Sequence, residues 1–278
     1  MIDAHHHLWQ PARGDYGWMP QDHPILSRPY RLTEYTALAK ANQVQQSVLV
    51  QAAPTVQETE YMLGIADSSD LIGAVVGWVD FEDPAQQAEL ERLARHPKFR
   101  SVRPMVQDIE DDNWLRRSDI AWAFEAISSL GLRFDALGFP RHARPFLEIF
   151  QKYPSLQVVI DHCFKPEIAS GAYDAWAADL AQIAEGTSAT IKLSGLVTEA
   201  GDRLSADALQ PYVDHVLACF GPSRVMWGSD WPVSRLAMEY ADWLALAQQL
   251  TAGLSAAESA MVFGGTAARF YGLNMENP

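Results

Sequence analysis

The chain begins Met1-Ile2-Asp3-Ala4-His5-His6-His7-Leu8-Trp9, a short apolar run that leads directly into three consecutive histidines. The run predicts a first β-strand over residues 1–5. In a doubly wound sheet that binds nucleotides, a glycine-rich phosphate loop usually follows the first strand. In this chain, histidines rather than glycines follow the first strand, so the opening stretch favours a closed α/β barrel.

The rest of the chain repeats one unit, a short strand followed by a longer segment with helical periodicity. Such alternation is typical of a parallel sheet with crossover helices. The further predicted strands cover residues 46–51, 71–79, 101–106, 132–136, 157–161, 190–193 and 224–226. The predicted helices cover residues 33–42, 55–68, 85–95, 120–130, 145–152, 173–184, 206–219 and 240–251. Units of roughly thirty residues predict an α/β fold, a (β/α)8 TIM barrel. We expect one domain over residues 1–278, with short closing helices after Thr251.

Composition limits the classes of protein to which the chain can belong. Of the 278 residues, 48% are hydrophobic and 20% are charged, which excludes a disordered chain. The formal net charge is −14 and there is no basic run, which argues against a nucleic-acid partner. No stretch approaches the ~18 apolar residues of a membrane span, and no signal-peptide pattern precedes the first strand. We therefore expect a cytoplasmic protein that acts on a small molecule.

Histidines lie at the end of the first predicted strand, where barrel enzymes place their active sites. Side chains alternate along a strand with a period of two, so His5 and His7 lie on one face and His6 on the other. Two imidazoles on one face can bind one metal ion or polarise one carbonyl group. An expression tag is the alternative, but a tag is normally longer and lies outside the first strand.

Two further candidates follow the sixth and the eighth predicted strands. The alternation in Val158-Val159-Ile160-Asp161-His162 places His162 on the inward face of the barrel. Asp230 follows the eighth strand in Trp227-Gly228-Ser229-Asp230-Trp231-Pro232. A carboxylate beside a polarising cluster suits a general base that activates water. A core histidine and a turn aspartate are the structural alternatives.

Four other residues are candidates for substrate binding. Lys165 follows His162 in the same loop, where an ammonium group suits a hydroxyl-rich or anionic ligand. Arg103, on the fourth predicted strand, could bind a carboxylate or a ring oxygen. His142 follows the fifth strand, and Trp18 lies in an aromatic loop that could stack on a cyclic ligand. Surface solvation or packing at the barrel rim would account equally well for these side chains.

Several motifs together resemble the amidohydrolase-related lactonases, the group of the L-fuconolactonase, L-rhamnonolactonase and sulfomuconolactonase type. The motifs, which span nearly the whole chain, are Ile-Asp-Ala-His-His-His-Leu-Trp at 2–9, Asp-Tyr-Gly-Trp at 15–18, Val-Arg-Pro-Met-Val-Gln-Asp at 102–108, Ile-Asp-His-Cys-Phe-Lys-Pro at 160–166, Lys-Leu-Ser-Gly-Leu at 192–196 and Trp-Gly-Ser-Asp-Trp-Pro at 227–232. The resemblance implies a TIM barrel of the metal-dependent-hydrolase type. It places His5, His7, His162 and Asp230 at the active-site positions. The family usually has another polar residue where this chain has His6, which supports a different role for that histidine.

The resemblance also implies a cofactor. Some of these lactonases bind a single zinc ion through the same positions, and others hydrolyse lactones without a metal. The fourth predicted strand, residues 101–106, contains no lysine that could be carbamylated to bridge two ions. We therefore expect one divalent ion, zinc, held by His5, His7, His162 and Asp230, and leave open whether activity requires it.

The expected activity is the opening of a lactone ring, with a sugar lactone as substrate. Asp230 would take a proton from water, and His5, His7 and His162 would stabilise the oxyanion directly or through the ion. Metal-dependent, non-oxidative decarboxylation within the same superfamily is one alternative, which release of carbon dioxide would identify. A catalytically silent sugar-binding barrel is another, and turnover of any lactone would exclude it.

Overall fold

A computed structural model describes residues 1–273 of the chain. Its sheet contains eight parallel strands, each paired with the next in chain order. They are β1 (Ile2–His6), β2 (Gln46–Val50), β3 (Ile72–Gly77), β4 (Phe99–Val102), β5 (Arg133–Ala136), β6 (Gln157–Ile160), β7 (Thr190–Leu193) and β8 (Val225–Trp227). The predicted (β/α)8 barrel is confirmed. Residues 274–278 of the predicted single domain lie outside the described residues.

Helices connect the strands on the outside of the barrel. They are α1 (Leu32–Ala41), α2 (Val56–Asp67), α3 (Gln87–Leu93), α4 (Ala121–Ser129), α5 (Ala143–Lys152), α6 (Asp174–Gly186), α7 (Leu196–Glu199), α8 (Ala206–Phe220), α9 (Tyr240–Leu250), α10 (Ala256–Ala260) and α11 (Thr266–Tyr271). Local sequence sets several of their starts, since the side chains of Thr55, Ser205 and Ser255 accept hydrogen bonds from N–H groups in the first turns of α2, α8 and α10. No helix within residues 1–273 is long and apolar enough to cross a membrane.

The end of the barrel where the strands begin is filled by apolar side chains and covered by α11. Phe270 and Tyr271 from this helix pack in one buried cluster with Ile2 and Val48 from the first two strands. The guanidinium of Arg133 donates a hydrogen bond to the carbonyl of Phe270 at 2.7 Å. The predicted closing helices are therefore present as α10 and α11, and the opposite end of the barrel is left for a site.

Backbone hydrogen bonds close the barrel between its first and last strands. The N–H of Asp230 donates to the carbonyl of His5 at 2.8 Å, and the N–H of His7 donates to the carbonyl of Trp231 at 2.7 Å. These bonds join the two segments that carry candidate catalytic residues. Closing the barrel therefore places Asp230 beside the histidines of β1.

Candidate active site

Four predicted site residues, His5, His7, His162 and Asp230, meet at the carboxyl end of the barrel, and all four are buried. The Nε2 atoms of His5 and His7 are 3.2 Å apart. The Oδ1 atom of Asp230 lies 3.7 Å from Nε2 of His5 and 3.4 Å from Nε2 of His7. The same oxygen is 3.9 Å from Nε2 of His162. His5, His7 and Asp230 have ligand atoms that all lie within 4.8 Å of one another, and His162 adjoins this group beside Asp230.

The separations suit the ligands of one divalent cation. Ligands about 2.0–2.1 Å from a tetrahedral ion lie roughly 3.3–3.4 Å from one another, close to the distances found here. Two imidazole nitrogens with one carboxylate oxygen, the set that His5, His7 and Asp230 provide, are typical donors to zinc. His7 Nδ1 donates a hydrogen bond to the carbonyl of Val50 at 2.8 Å, which leaves Nε2 unprotonated and free to bind a cation. The residues present therefore fit the divalent metal that the family resemblance implies.

His5 has two possible hydrogen-bond arrangements. Its Nδ1 lies 3.2 Å from Nζ of Lys192 and 3.5 Å from Oδ1 of Asp161. A proton on Nδ1, directed at Asp161, leaves Nε2 free for a cation. A hydrogen bond from Lys192 instead puts the proton on Nε2, which can then donate to Nε2 of His7. The position of the His5 proton therefore decides between two states. With the proton on Nδ1 the site can bind a cation, and with the proton on Nε2 His5 is hydrogen-bonded to His7 instead.

The turn that carries His162 has an unusual backbone. His162, Cys163, Phe164 and Lys165 all have positive φ angles, between 49° and 56°. Left-handed geometry costs roughly 1–2 kcal/mol for each residue that is not glycine. The strand alternation predicts His162 at the end of an inward-facing strand. In the structure β6 ends at Ile160, and the left-handed turn brings His162 and Lys165 to the site. Asp230 also has a positive φ, 54°. Strain of this kind is often concentrated at functional sites.

Burial and neighbouring charges set the protonation of the site. Burial lowers the pKa of His162 to about 4, so its imidazole is neutral near pH 7. Burial, with the nearby charge of Lys192, also lowers the pKa of His5 well below its usual value. For Asp230, burial opposes ionisation, but His162 and His7 outweigh it and hold the carboxyl pKa below its usual value. At neutral pH the site therefore contains the ionised carboxylate of Asp230 beside the neutral imidazoles of His5 and His162.

Gly195 provides a test of how tightly His162 is held. This glycine has φ +68°, and an added Cβ would lie 2.7 Å from Cγ of His162. We expect Gly195→Ala to displace the imidazole and to lower kcat/KM about 100-fold, the scale of a 1 Å misplacement. Gly131→Ala is the matched control, because Gly131 has φ +66° and open space around its Cβ position. Equal activity of the two variants in steady-state assays would contradict the packing argument.

His6 points away from the site, as the strand alternation predicts. Its ring stacks on Tyr35 of α1 at a centroid distance of 3.6 Å, and its Nε2 lies 3.0 Å from Oγ of Ser47.

We expect His6→Gln to keep most of the activity with a lower melting temperature. His7→Gln should lose about 100-fold, because only that change removes an imidazole from the site. Loss of activity in His6→Gln with near-normal activity in His7→Gln would show that His6, not His7, faces the site. Circular dichroism would first confirm that both variants are folded.

Lys165 and Trp18 line a cavity of about 250 Å³. Three of the site residues, His7, His162 and Asp230, line the same cavity. The ammonium of Lys165 donates to Oε1 of Gln107 at 2.6 Å and lies 5.4 Å from the centre of the Phe139 ring. The indole N–H of Trp18 donates to the carbonyl of Ala52 at 2.5 Å. Both residues are therefore placed to contact a ligand bound over Asp230.

The other two predicted substrate contacts have different surroundings. Arg103 borders the cavity, but it follows β4 rather than lying on it. Its guanidinium donates to the side chain and the carbonyl of Gln51, and to Oδ2 of Asp161 at 3.0 Å. His142 is not among the residues that line the cavity. It is buried, and its Nδ1 accepts a hydrogen bond from the N–H of Phe139.

A buried charge network, which the sequence motifs did not predict, lies beneath the site. Lys192 of β7 is fully buried, with Nζ 2.5 Å from Oδ2 of Asp135 and 2.9 Å from Oδ1 of Asp161. Tyr271 of α11 donates its hydroxyl hydrogen to Oδ2 of Asp135 at 2.7 Å. Burial opposes the charge on Asp161, but Lys192 and His5 outweigh it and keep the pKa of that carboxyl well below its usual value. A lysine in the middle of an apolar strand was the signal that could have revealed this network.

Comparison with known proteins finds one family and two lactonases that match nearly the whole described chain. The family described as Amidohydrolase (Amidohydro_2) matches residues 2–273. An L-fucono-1,5-lactonase of Burkholderia ambifaria is 42% identical over 97% of this chain and 94% of its own length. An L-fucono-1,5-lactonase of Burkholderia multivorans is 34% identical over 98% of this chain and 96% of its own length.

The solved structures agree with these matches. An amidohydrolase from Burkholderia multivorans, crystallised with bound zinc, has a TM-score of 0.92 and 35% identity, and covers 98% of this chain and 99% of that chain. A 5-carboxyvanillate decarboxylase from Sphingomonas paucimobilis has a TM-score of 0.69 and 19% identity, covering 99% of each chain. The decarboxylase is similar in fold alone.

Proposed function

The chain belongs to the amidohydrolase family and is a lactonase that opens the ring of a sugar lactone, and we propose that its substrate is L-fucono-1,5-lactone. The observation that carries the proposal is the cluster of three imidazoles around the Asp230 carboxylate. This cluster lies in a chain that is 42% identical to an L-fucono-1,5-lactonase. Decarboxylation has no better support, because the decarboxylase match is limited to the fold.

Asp230 acts as the general base in this proposal. Its ionised carboxylate takes a proton from a water molecule, and the oxygen of that water forms a bond to the lactone carbonyl carbon. The bond between that carbon and the ring oxygen then breaks. Asp230 returns its proton to the departing alkoxide, which gives the open-chain hydroxy acid. A low carboxyl pKa keeps the base ionised before the reaction begins.

The remaining residues bind and orient the substrate. Lys165 donates from its ammonium group to ring hydroxyls, and Trp18 covers the ring with its indole. Arg103 is proposed as a positioning residue, since its bonds to Gln51 and Asp161 fix the cavity wall and the partner of His5. A divalent ion held by His5, His7, His162 and Asp230 would supply a Lewis acid for the carbonyl group.

For the metal, we propose one zinc ion per chain. Elemental analysis of purified protein should find close to one equivalent, and His7→Gln should reduce the metal content, because its Nε2 is aligned by the Val50 carbonyl. His6→Gln is the matched control and should keep the metal, since its ring faces Tyr35. Two tightly bound equivalents would contradict a single-ion site.

The activity itself is tested with L-fucono-1,5-lactone in a pH-indicator assay. Metal-free and zinc-reconstituted protein are compared, with carbon dioxide release measured in parallel on an aromatic carboxylic acid. We expect acid release from the lactone well above its spontaneous hydrolysis. Lack of turnover in both preparations, or carbon dioxide release alone, would overturn the proposed function.

A further inference from the structure

A second cavity adjoins the catalytic one. Its volume is about 540 Å³, compared with about 250 Å³ for the catalytic cavity. Trp18, Met105 and Asp108 line both cavities, so the two share a wall. The reaction proposed above uses only the smaller cavity. The larger one, at the same end of the barrel, has no assigned occupant.

Aromatic side chains form much of the wall of this second cavity. Trp78 directly follows β3 and is half-buried, and Trp18 is 39% exposed, so both offer ring surface to a ligand. Phe81 and Trp114 also line the cavity and are largely buried, with ring centres 5.8 Å apart. Aromatic rings of this kind pack against the C–H faces of cyclic ligands.

The same wall contains carboxylates with unequal surroundings. Asp15 is paired with Arg13 at 2.6 Å, and Glu82 with Arg117 at 2.5 Å. Asp80 accepts a hydrogen bond from the N–H of Glu82 through Oδ1. Asp108 accepts one from the side chain of Gln107, also through Oδ1. Within residues 1–273, the second oxygens of Asp80 and Asp108 are left to accept hydrogen bonds from a ligand.

We propose that this second cavity binds a neutral pyranose ring attached to a hydroxyl of the lactone, so that the enzyme prefers lactones of disaccharide acids. Aromatic surface beside free carboxylate oxygens matches the C–H faces and hydroxyl donors of a sugar. The surrounding negative charge disfavours an anionic substituent, and a purely apolar one would leave the carboxylates without donors. The inference rests on the proposed function, since it takes the lactone ring as bound over Asp230.

The test compares L-fucono-1,5-lactone with its three derivatives that carry a β-galactopyranosyl group on O2, O3 or O4. We expect at least one derivative to have a kcat/KM equal to or above that of the parent lactone. Trp78→Ala should lower the ratio of derivative to parent kcat/KM about tenfold, the effect of losing one stacking contact. Its activity on the parent lactone should not change, because Trp78 lines only the second of these two cavities.

Two further variants keep the test decisive. Asp80→Asn preserves the acceptor for the Glu82 N–H but removes the charge, and should also lower the ratio about tenfold. Tyr173→Ala removes a half-buried ring just before α6 and should leave the ratio unchanged. The aromatic neighbours of this ring line neither cavity; they are Trp176, Tyr212 and His215. Either of two results would refute the subsite for a second sugar ring and leave the lactonase proposal standing. The first is that all three derivatives react at least 100-fold more slowly than the parent. The second is that Trp78→Ala and Asp80→Asn have the same ratio of derivative to parent kcat/KM as the unmodified protein. If the parent lactone is not hydrolysed, the proposed function fails instead.

Discussion

Asp230→Asn should leave a folded protein whose rate of lactone hydrolysis is at least ~100-fold lower, the usual scale for losing a general base. The amide keeps the shape of the carboxylate but cannot accept the proton of water. In the native site, Oδ1 of Asp230 lies 3.4–3.9 Å from three imidazole Nε2 atoms. Asp161 also lies beside His5, but its carboxylate is paired with Arg103 and Lys192. Steady-state kinetics on L-fucono-1,5-lactone, with circular dichroism to check folding, measures the effect.

Metal binding and proton transfer can be separated in this variant. If Asp230 serves only as a metal ligand, saturating zinc should restore the rate of Asp230→Asn. If it is the general base, the rate stays low even when one equivalent of zinc is bound. Asp202→Asn is the matched control, because Asp202 is exposed in the loop after α7 and should tolerate the change. Near-normal kcat in Asp230→Asn would remove this residue from the mechanism.

Lys192→Met should lower the free energy of unfolding by about 3–5 kcal/mol, the cost of breaking a buried ion pair by removing one partner. Lys192 lies between Asp135 and Asp161, and all three are fully buried. Without the ammonium, two carboxylates share an apolar interior with one fewer cation. Urea unfolding at pH 7 gives the change directly.

Two companion variants show whether the loss is electrostatic. Lys192→Met combined with Asp135→Asn should recover part of the stability, since the second change removes one uncompensated charge. Lys152→Met, at the exposed end of α5, should shift the free energy of unfolding by less than ~0.5 kcal/mol. A loss below about 1 kcal/mol in Lys192→Met would mean that the network is hydrated or already neutral.

The barrel could be predicted from the sequence because its signals are local. Alternation along β1 assigns His5 and His7 to one face and His6 to the other, and the stacking of His6 on Tyr35 agrees with this. Apolar runs predicted every strand to within a few residues, and β7 at Thr190–Leu193 has the predicted bounds. Strand ends were less certain, as Arg103 shows, because hydrogen bonds to neighbouring strands decide where pairing stops.

The tertiary structure alone decided how these residues meet. Asp230 and His5 were candidates from the sequence, yet they lie 225 positions apart, and only the backbone bonds that join the segment after β8 to the end of β1 fix their separation. A left-handed turn, which no periodicity signals, brings His162 into the site. Lys192 and the second cavity emerge in the same way, from side chains on strands and loops distant in the chain. Periodicity determines on which face of a strand a side chain lies, whereas the closure and packing of the barrel determine which other residues that side chain contacts.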